Sequence, residues 1–524
     1  MRKKLVKKTS ILIVIKTFYF TFAPVMKTKL LIWVAILSIG SMSRVQAQSD
    51  VAAGYWTGKL IRRCTDMDRF FVGEMKRIAR VVFVLLLTAC FAACSSDDNA
   101  EDHPQYNELR NILQQTGLFF DITEDPDTSI VKHKAELNYK EQYSMFYKQD
   151  TNHDDVGGDE FMQRVCILFR GFDHPTVLVT NGYAWSSFKD IKDLALNLNA
   201  NMVCVEHRNF GMSYNQDQGK WKYQNAAQAS ADLHAIYLAL KPIFKGKWMS
   251  AGTSKNGETS ICYAYYYPQD MQLAAAFCSP FATSLSDKRF GPYLIEVVGT
   301  EESRSLMKSL IRKALENGEN GYYKDVCRQL KADGHEEPSF TKYVFNLFDM
   351  LFQVYQYTSV DDVRIAKMTD MQDSKEVMVE KLCECIADND DEAMYAYWVE
   401  CAKQQGFQND GYAIFSDLLE GTSFDESQVM AAMLKEEDRW LIDTYDNTLF
   451  TDLVDNFVLN SPCPLMFFYS HDDPWTAGMP PRLGSNAKLI MNPIGKHDST
   501  LNDPDLCPPA VKQEVMDYVQ KYIY

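Results

Sequence analysis

Beyond residue 94 this 524-residue chain has no long apolar run, no excess of positive charge and no second Cys or His pair at zinc spacing. Each absence excludes a class. Without a run of about 20 apolar residues the body has no transmembrane helix. Without a basic stripe it offers no phosphate-binding surface, which excludes nucleic acid as a partner. The Cys383–Glu–Cys385 pair stands alone, so neither a metal nor another cofactor is expected. No internal repeat is present. What remains is an ordinary soluble-globular mix, 46 % apolar and 24 % charged, long enough for several average domains or one large enzyme with insertions. Its 28 Tyr and 30 Phe argue for aromatic-lined packing or pockets.

Charge is divided unevenly. The formal net charge is −16, yet residues 1–94 carry 16 Lys and Arg against 4 Asp and Glu, so the body is strongly acidic. This basic segment also holds two export-like signals in tandem. The first, from Met26, is a Lys-flanked apolar core ending in small residues near Ala47. The second, from Met75, runs MKRIARVVFVLLLTACFAACSSDDN and resembles a bacterial lipoprotein signal. Cys94 is the expected lipidation site, because an acidic, Ser-rich tether follows it; Cys90 fits the pattern about as well. One protein does not need both signals, so the expected true start is Met67 or Met75. Such an anchor implies an exported body in the periplasm or on an outer-membrane surface. Disulfides persist there, and one or two are expected among the ten cysteines after Cys94.

From Phe161 the chain alternates apolar, β-rich runs (FMQRVCILFR, TVLVTNGYAW, NMVCVEHR, GKWMSAGTS, LAAAFCSPF) with helical patterns, which implies βαβ units around a parallel sheet. Between about Ser286 and Val458 nearly every segment has helical periodicity. Alternation then resumes with CPLMFFYSHDDPW and AKLIMNPIGKH. The expected architecture is an α/β-hydrolase with a mainly parallel sheet and a large helical cap insertion. Its parts are an export region 1–94 with the lipoprotein signal at 75–94, a tether and N-terminal segment 95–159, hydrolase first part 160–286, cap 287–458 and hydrolase second part 459–524.

One stretch carries the chemistry. In KWMSAGTSKNGETS a strand passes through Gly252 and Ser254 into a helix, the pattern of a nucleophile elbow, although the second glycine is displaced to Gly257 and Asn256 stands in its place. After the next core strands come His471-Asp472-Asp473-Pro474-Trp475 and then His497. Ser, Asp, His in this order, each at a strand's C-terminal end, is the order of the α/β-hydrolase triad. Ser254, Asp473 and His497 are therefore the catalytic candidates, with Asp472 the fallback acid. The backbone N–H groups of Lys255 and Tyr183 are the oxyanion candidates. Glu206, Arg208 and Trp475 are candidate substrate contacts, with a structural ion pair the alternative for Glu206 and Arg208.

GTSKNG, EHRNFGMS, QNAAQASADL, YWVECAKQQGF, HDDPW and GKH, spread over about residues 160–500, resemble the secreted tripeptidyl aminopeptidase family of serine peptidases, which is related to the prolyl carboxypeptidase and dipeptidyl peptidase II family. That resemblance implies a peptide substrate, release of short peptides from free N-termini, often after proline, and a cap that limits access. The same triad would also serve an esterase or lipase, and a decayed triad would leave a binding protein.

Overall fold

The computed structural model describes residues 108–524 except 125–138, 156, 185–188, 215–219, 358–360, 409, 410 and 498. The chain divides into units 1–102 and 103–524. Both export-like segments, with Cys90 and Cys94, lie outside the described residues.

Among the described residues nine strands form one sheet: β1 Phe119–Thr123, β2 Glu141–Asp150, β3 Glu160–Phe169, β4 Thr176–Thr180, β5 Asn201–Val205, β6 Trp248–Thr253, β7 Ala274–Phe277, β8 Leu465–Ser470 and β9 Ala487–Asn492. Their order is β1-β2-β3-β5-β4-β6-β7-β8-β9. The pairs from β1 to β5 are antiparallel and those from β5 through β9 parallel. This is an α/β-hydrolase fold. β4 to β8 are near-continuous apolar runs because both sheet faces are covered. Along β8, Leu465, Phe467 and Tyr469 join one core and Met466 and Phe468 the other. The first core is closed by Leu233, Ile236 and Leu240 of helix Ala226–Leu240 and Ile261 of helix Lys255–Tyr266. The second is closed by Ile191 and Leu194 of helix Lys189–Asn197 and Val515 and Val519 of helix Pro509–Ile523.

Between β7 and β8 every element is helical. Three cap helices bear on the site: α1 (Phe340–Tyr357), α2 (Asp361–Asp373) and α3 (Lys375–Asn389). Phe340, Phe345, Phe348, Phe352 and Tyr355 of α1 are all buried, packing within the cap and, through Phe345 and Phe352, against the domain below; Tyr357 is 57 % exposed.

Two expectations need correction. The sheet begins before residue 160, because β1 and β2 add to it as an antiparallel extension. β2 escapes an apolar-run reading because its buried positions include Glu141, Gln142 and Gln149. Nor do the expected disulfides form: the ten cysteines from Cys166 to Cys507 are free thiols, all buried except the half-buried Cys385. They serve as small core side chains. No helix among the described residues is long and apolar enough to cross a membrane.

Candidate active site

The parallel strands all deliver their C-terminal ends to one edge of the sheet, where α/β proteins bind ligands. Ser254 leaves β6 there with φ 59° and ψ −134°, a left-handed conformation unusual for a side-chain-bearing residue. Close packing enforces the turn. A Cβ on Gly252 would lie 2.3 Å from the Asn256 carbonyl carbon, and one on Gly257 would lie 2.7 Å from the Gly252 oxygen. The displaced glycine is thus the one at which helix and strand touch.

Asn256 has its own work. Its Oδ1 accepts the Gly182 N–H at 2.6 Å and its carbonyl accepts the Thr180 hydroxyl at 2.7 Å, fastening the loop after β4 to the elbow. Lys255 adds a third tie, its Nζ donating to the Gly182 carbonyl at 2.7 Å. Tyr183, next along that loop, is held beside the residue that follows Ser254, with the Lys255 ammonium 5.5 Å from its ring centroid.

At the end of β8, Asp473 is fully buried; its Oδ1 accepts the Trp475 N–H at 3.0 Å and its Oδ2 lies 2.9 Å from His497 Nδ1. A carboxylate on Nδ1 holds the proton there and turns Nε2 outward as a base. The Cys278 thiol, at φ 49° after β7, lies within 4.8 Å of both groups. Burial, reinforced by Asp473, pushes that thiol well above the usual range, so it stays protonated. Asp472 points elsewhere. It takes the Gly299 N–H, Arg364 of α2 at 2.8 Å and Lys496 at 2.6 Å, tying the cap to the loops that carry Asp473 and His497.

The model of the PS-10 peptidase family S37 matches residues 121–406, more than half of the chain. The chain belongs to the S37 peptidases. It is accordingly a serine peptidase. A prolyl tri/tetrapeptidyl aminopeptidase of Streptomyces mobaraensis is 25 % identical over 393 residues, covering 72 % of this chain and 80 % of that relative. Among solved structures, a thermophilic esterase from Thermogutta terrifontis aligns with 72 % of this chain and 99 % of its own at 14 % identity and TM-score 0.33. A proline iminopeptidase of Mycobacterium smegmatis aligns with 72 % and 98 % at 10 % identity and TM-score 0.36.

In this S37 peptidase the other candidates divide. Trp475 stands beside His497, ring centroids 6.3 Å apart, and packs on Phe290 and Phe352 of the cap. Arg208 takes the structural ion pair, the second of its two expected roles. It is buried, its fork meets Asp232 in two contacts of 2.7 Å, and Nη1 donates to the carbonyls of Thr151 and Tyr223. Its donors are committed inside the protein, which makes it a strut rather than a substrate contact. Glu206 is likewise buried, accepting the Met212 N–H and the Ser213 hydroxyl at 2.9 and 2.8 Å.

Sequence reasoning missed Glu400, although it sits in the quoted YWVECAKQQGF. This cap carboxylate pairs with the Lys255 ammonium, accepts the Gln224 amide at 2.6 Å and lies 3.4 Å from His207 Nε2. Burial alone would raise its pKa, but the Lys255 ammonium, with hydrogen bonds from Lys255 and Gln224, holds it below the usual carboxylate range. Burial pushes His207 down to about 4, so it is neutral at physiological pH. One cap residue therefore stabilises the side chain that follows Ser254. Tyr357, one of the aromatic residues of the cap insertion, has its ring centroid 6.4 Å from that of His497.

Proposed function

We propose that this peptidase is an exopeptidase that releases short peptides, three residues long and often ending in proline, from free N-termini through an acyl-enzyme on Ser254. His497 takes the Ser254 proton as the hydroxyl oxygen attacks the scissile carbonyl, and later returns it to the leaving amine; Asp473 orients the imidazole and stabilises its charged form. The N–H groups of Lys255 and Tyr183 receive the oxyanion. Water then releases the peptide and restores Ser254. The observation that carries this reading is the strained Ser254 elbow on the same sheet edge as the 2.9 Å Asp473–His497 contact. The Streptomyces relative's name supports the N-terminal direction and the peptide length.

A fluorophosphonate probe should label Ser254, and mass spectrometry of a digested peptide should show successive loss of short N-terminal pieces. The same peptide N-acetylated should survive. Internal cleavage of the blocked peptide would refute exopeptidase action, and failure to label would refute the nucleophile.

Export with lipidation at Cys94 is the accompanying proposal, supported by the basic start, apolar core and acidic tether. Radiolabelled palmitate should enter the wild-type protein in a bacterial host and not Cys94→Ser. Label lost only in Cys90→Ser would move the site to Cys90.

A further inference from the structure

Among the described residues neither the Tyr183 N–H nor the Lys255 N–H, which opens its helix, has an acceptor. Where these two donors stand depends on one buried side chain. The stem of Lys255 runs against the loop after β4, so closely that a Cβ on Gly182 would lie 2.6 Å from Lys255 Cγ. Its ammonium donates to the Gly182 carbonyl at 2.7 Å and lies 5.5 Å from the Tyr183 ring centroid. That side chain is only 5 % exposed, and a charge taken out of water is costly unless it is paired. The partner comes from the cap.

Glu400 ends the cap helix Glu392–Glu400 and forms the ion pair with Lys255. Its own carboxylate is held, since Gln224 donates to Oε1 at 2.6 Å and His207 Nε2 lies 3.4 Å away. His207 in turn donates its backbone N–H to the Tyr183 carbonyl at 3.3 Å. Glu258, one turn along from Lys255, does not take the same part: it is fully buried, and burial pushes its carboxyl well above the usual range. One turn before Glu400 on the same cap helix, Tyr397 sets its ring 5.4 Å from that of Tyr183, which also packs edge-on against Phe210. A single turn of the cap therefore bears on both donors, on Lys255 through a charge and on Tyr183 through a ring.

We propose that Glu400 is a positioning residue for the oxyanion hole: through Lys255, and with Tyr397 beside it, the cap fixes where the Lys255 and Tyr183 N–H groups stand, and so contributes to the chemical step. This rests on the Ser254 acyl-enzyme reading above. The oxyanion exists only on the way through the reaction, so the contribution falls on kcat and leaves ground-state binding alone.

The test is Glu400→Gln, close in shape and uncharged, assayed on a free-amine tripeptidyl aminomethylcoumarin and on p-nitrophenyl acetate. These substrates share little beyond the carbonyl that becomes the oxyanion. Per folded molecule, kcat should fall about a hundred-fold for both, as for a group displaced by about 1 Å, with KM within about two-fold of wild type. Loss confined to the peptide, or a rise in KM alone, would make Glu400 a substrate contact. Full turnover of both with a lowered thermal midpoint would make it a strut of the cap. Either result overturns the proposal. Should Glu400→Gln fail to fold, the double variant Lys255→Met/Glu400→Gln decides, because removing both partners leaves no unpaired buried charge. The same loss of kcat on both substrates is expected of it, and wild-type kcat overturns the proposal. A wild-type Ser254 that takes no fluorophosphonate would remove the acyl-enzyme reading itself, a result that needs no variant.

Discussion

Ser254→Ala should lower turnover by about six orders of magnitude, to the residue of rate enhancement that an oxyanion hole and binding alone provide. The fold should not notice. Ser254 makes no side-chain cap contact to the helix it begins. Alanine keeps the Cβ, so the left-handed φ of 59° is no more costly than before. A thermal melt should therefore match wild type within about 0.5 kcal/mol of stability. Strained non-glycine backbone of this kind costs about 1–3 kcal/mol and persists where surrounding packing over-determines it. Here Gly252 and Gly257 do so by letting strand and helix touch. Burst kinetics with an activated ester would check the assignment. A Ser254→Ala enzyme that still shows a stoichiometric burst has its nucleophile elsewhere.

The sheet was legible where burial on both faces leaves one kind of residue. TVLVT, NMVCV and LMFFYS can only be central strands, and their ends point to the edge that carries the Ser254 elbow and the Asp473–His497 contact. β2 was not legible, because an antiparallel extension buries Glu141 against Tyr143 and Gln149 against Gln163, and such polar pairing has no periodic signature. The disulfide expectation failed for a different reason. It rested on compartment, whereas each cysteine's fate is decided by packing, as with Cys166 and Cys204, whose strands pair at those very residues.

Within the site, what adjacency in sequence hides is direction. Arg208 left both readings open because its partner Asp232 stands 24 positions away on a helix. Lys255 was chosen for its backbone, yet its side chain joins the Gly182 loop to the cap through Glu400, 145 residues downstream in sequence. Asn256, read as a weakness of the elbow, is the residue that holds that loop in place. Local motif spacing locates the residues that must be at strand ends; it carries no information about which distant helix supplies their counter-charges.

The neighbouring aspartates make that distinction measurable. Asp473→Asn should cut kcat about ten-thousand-fold with little loss of stability. The asparagine can still accept the Trp475 N–H, but its amide now offers a proton where His497 Nδ1 had donated one, so the imidazole carries its remaining proton on Nε2 and cannot accept another from Ser254. Asp472→Asn should do the reverse. It removes the charge facing Arg364, which is wholly buried, and Lys496, which is nearly so; breaking a buried pair from one side costs up to about 3–5 kcal/mol. Its thermal midpoint should fall while turnover per folded molecule stays within a few-fold of wild type, because Asp473 and His497 keep their contact. Paired melting curves and active-site titrations of the two variants separate the roles. A stable, inactive Asp472→Asn beside an active Asp473→Asn would exchange the assignments, and with them the idea that the cap is anchored through the residue next to the catalytic acid.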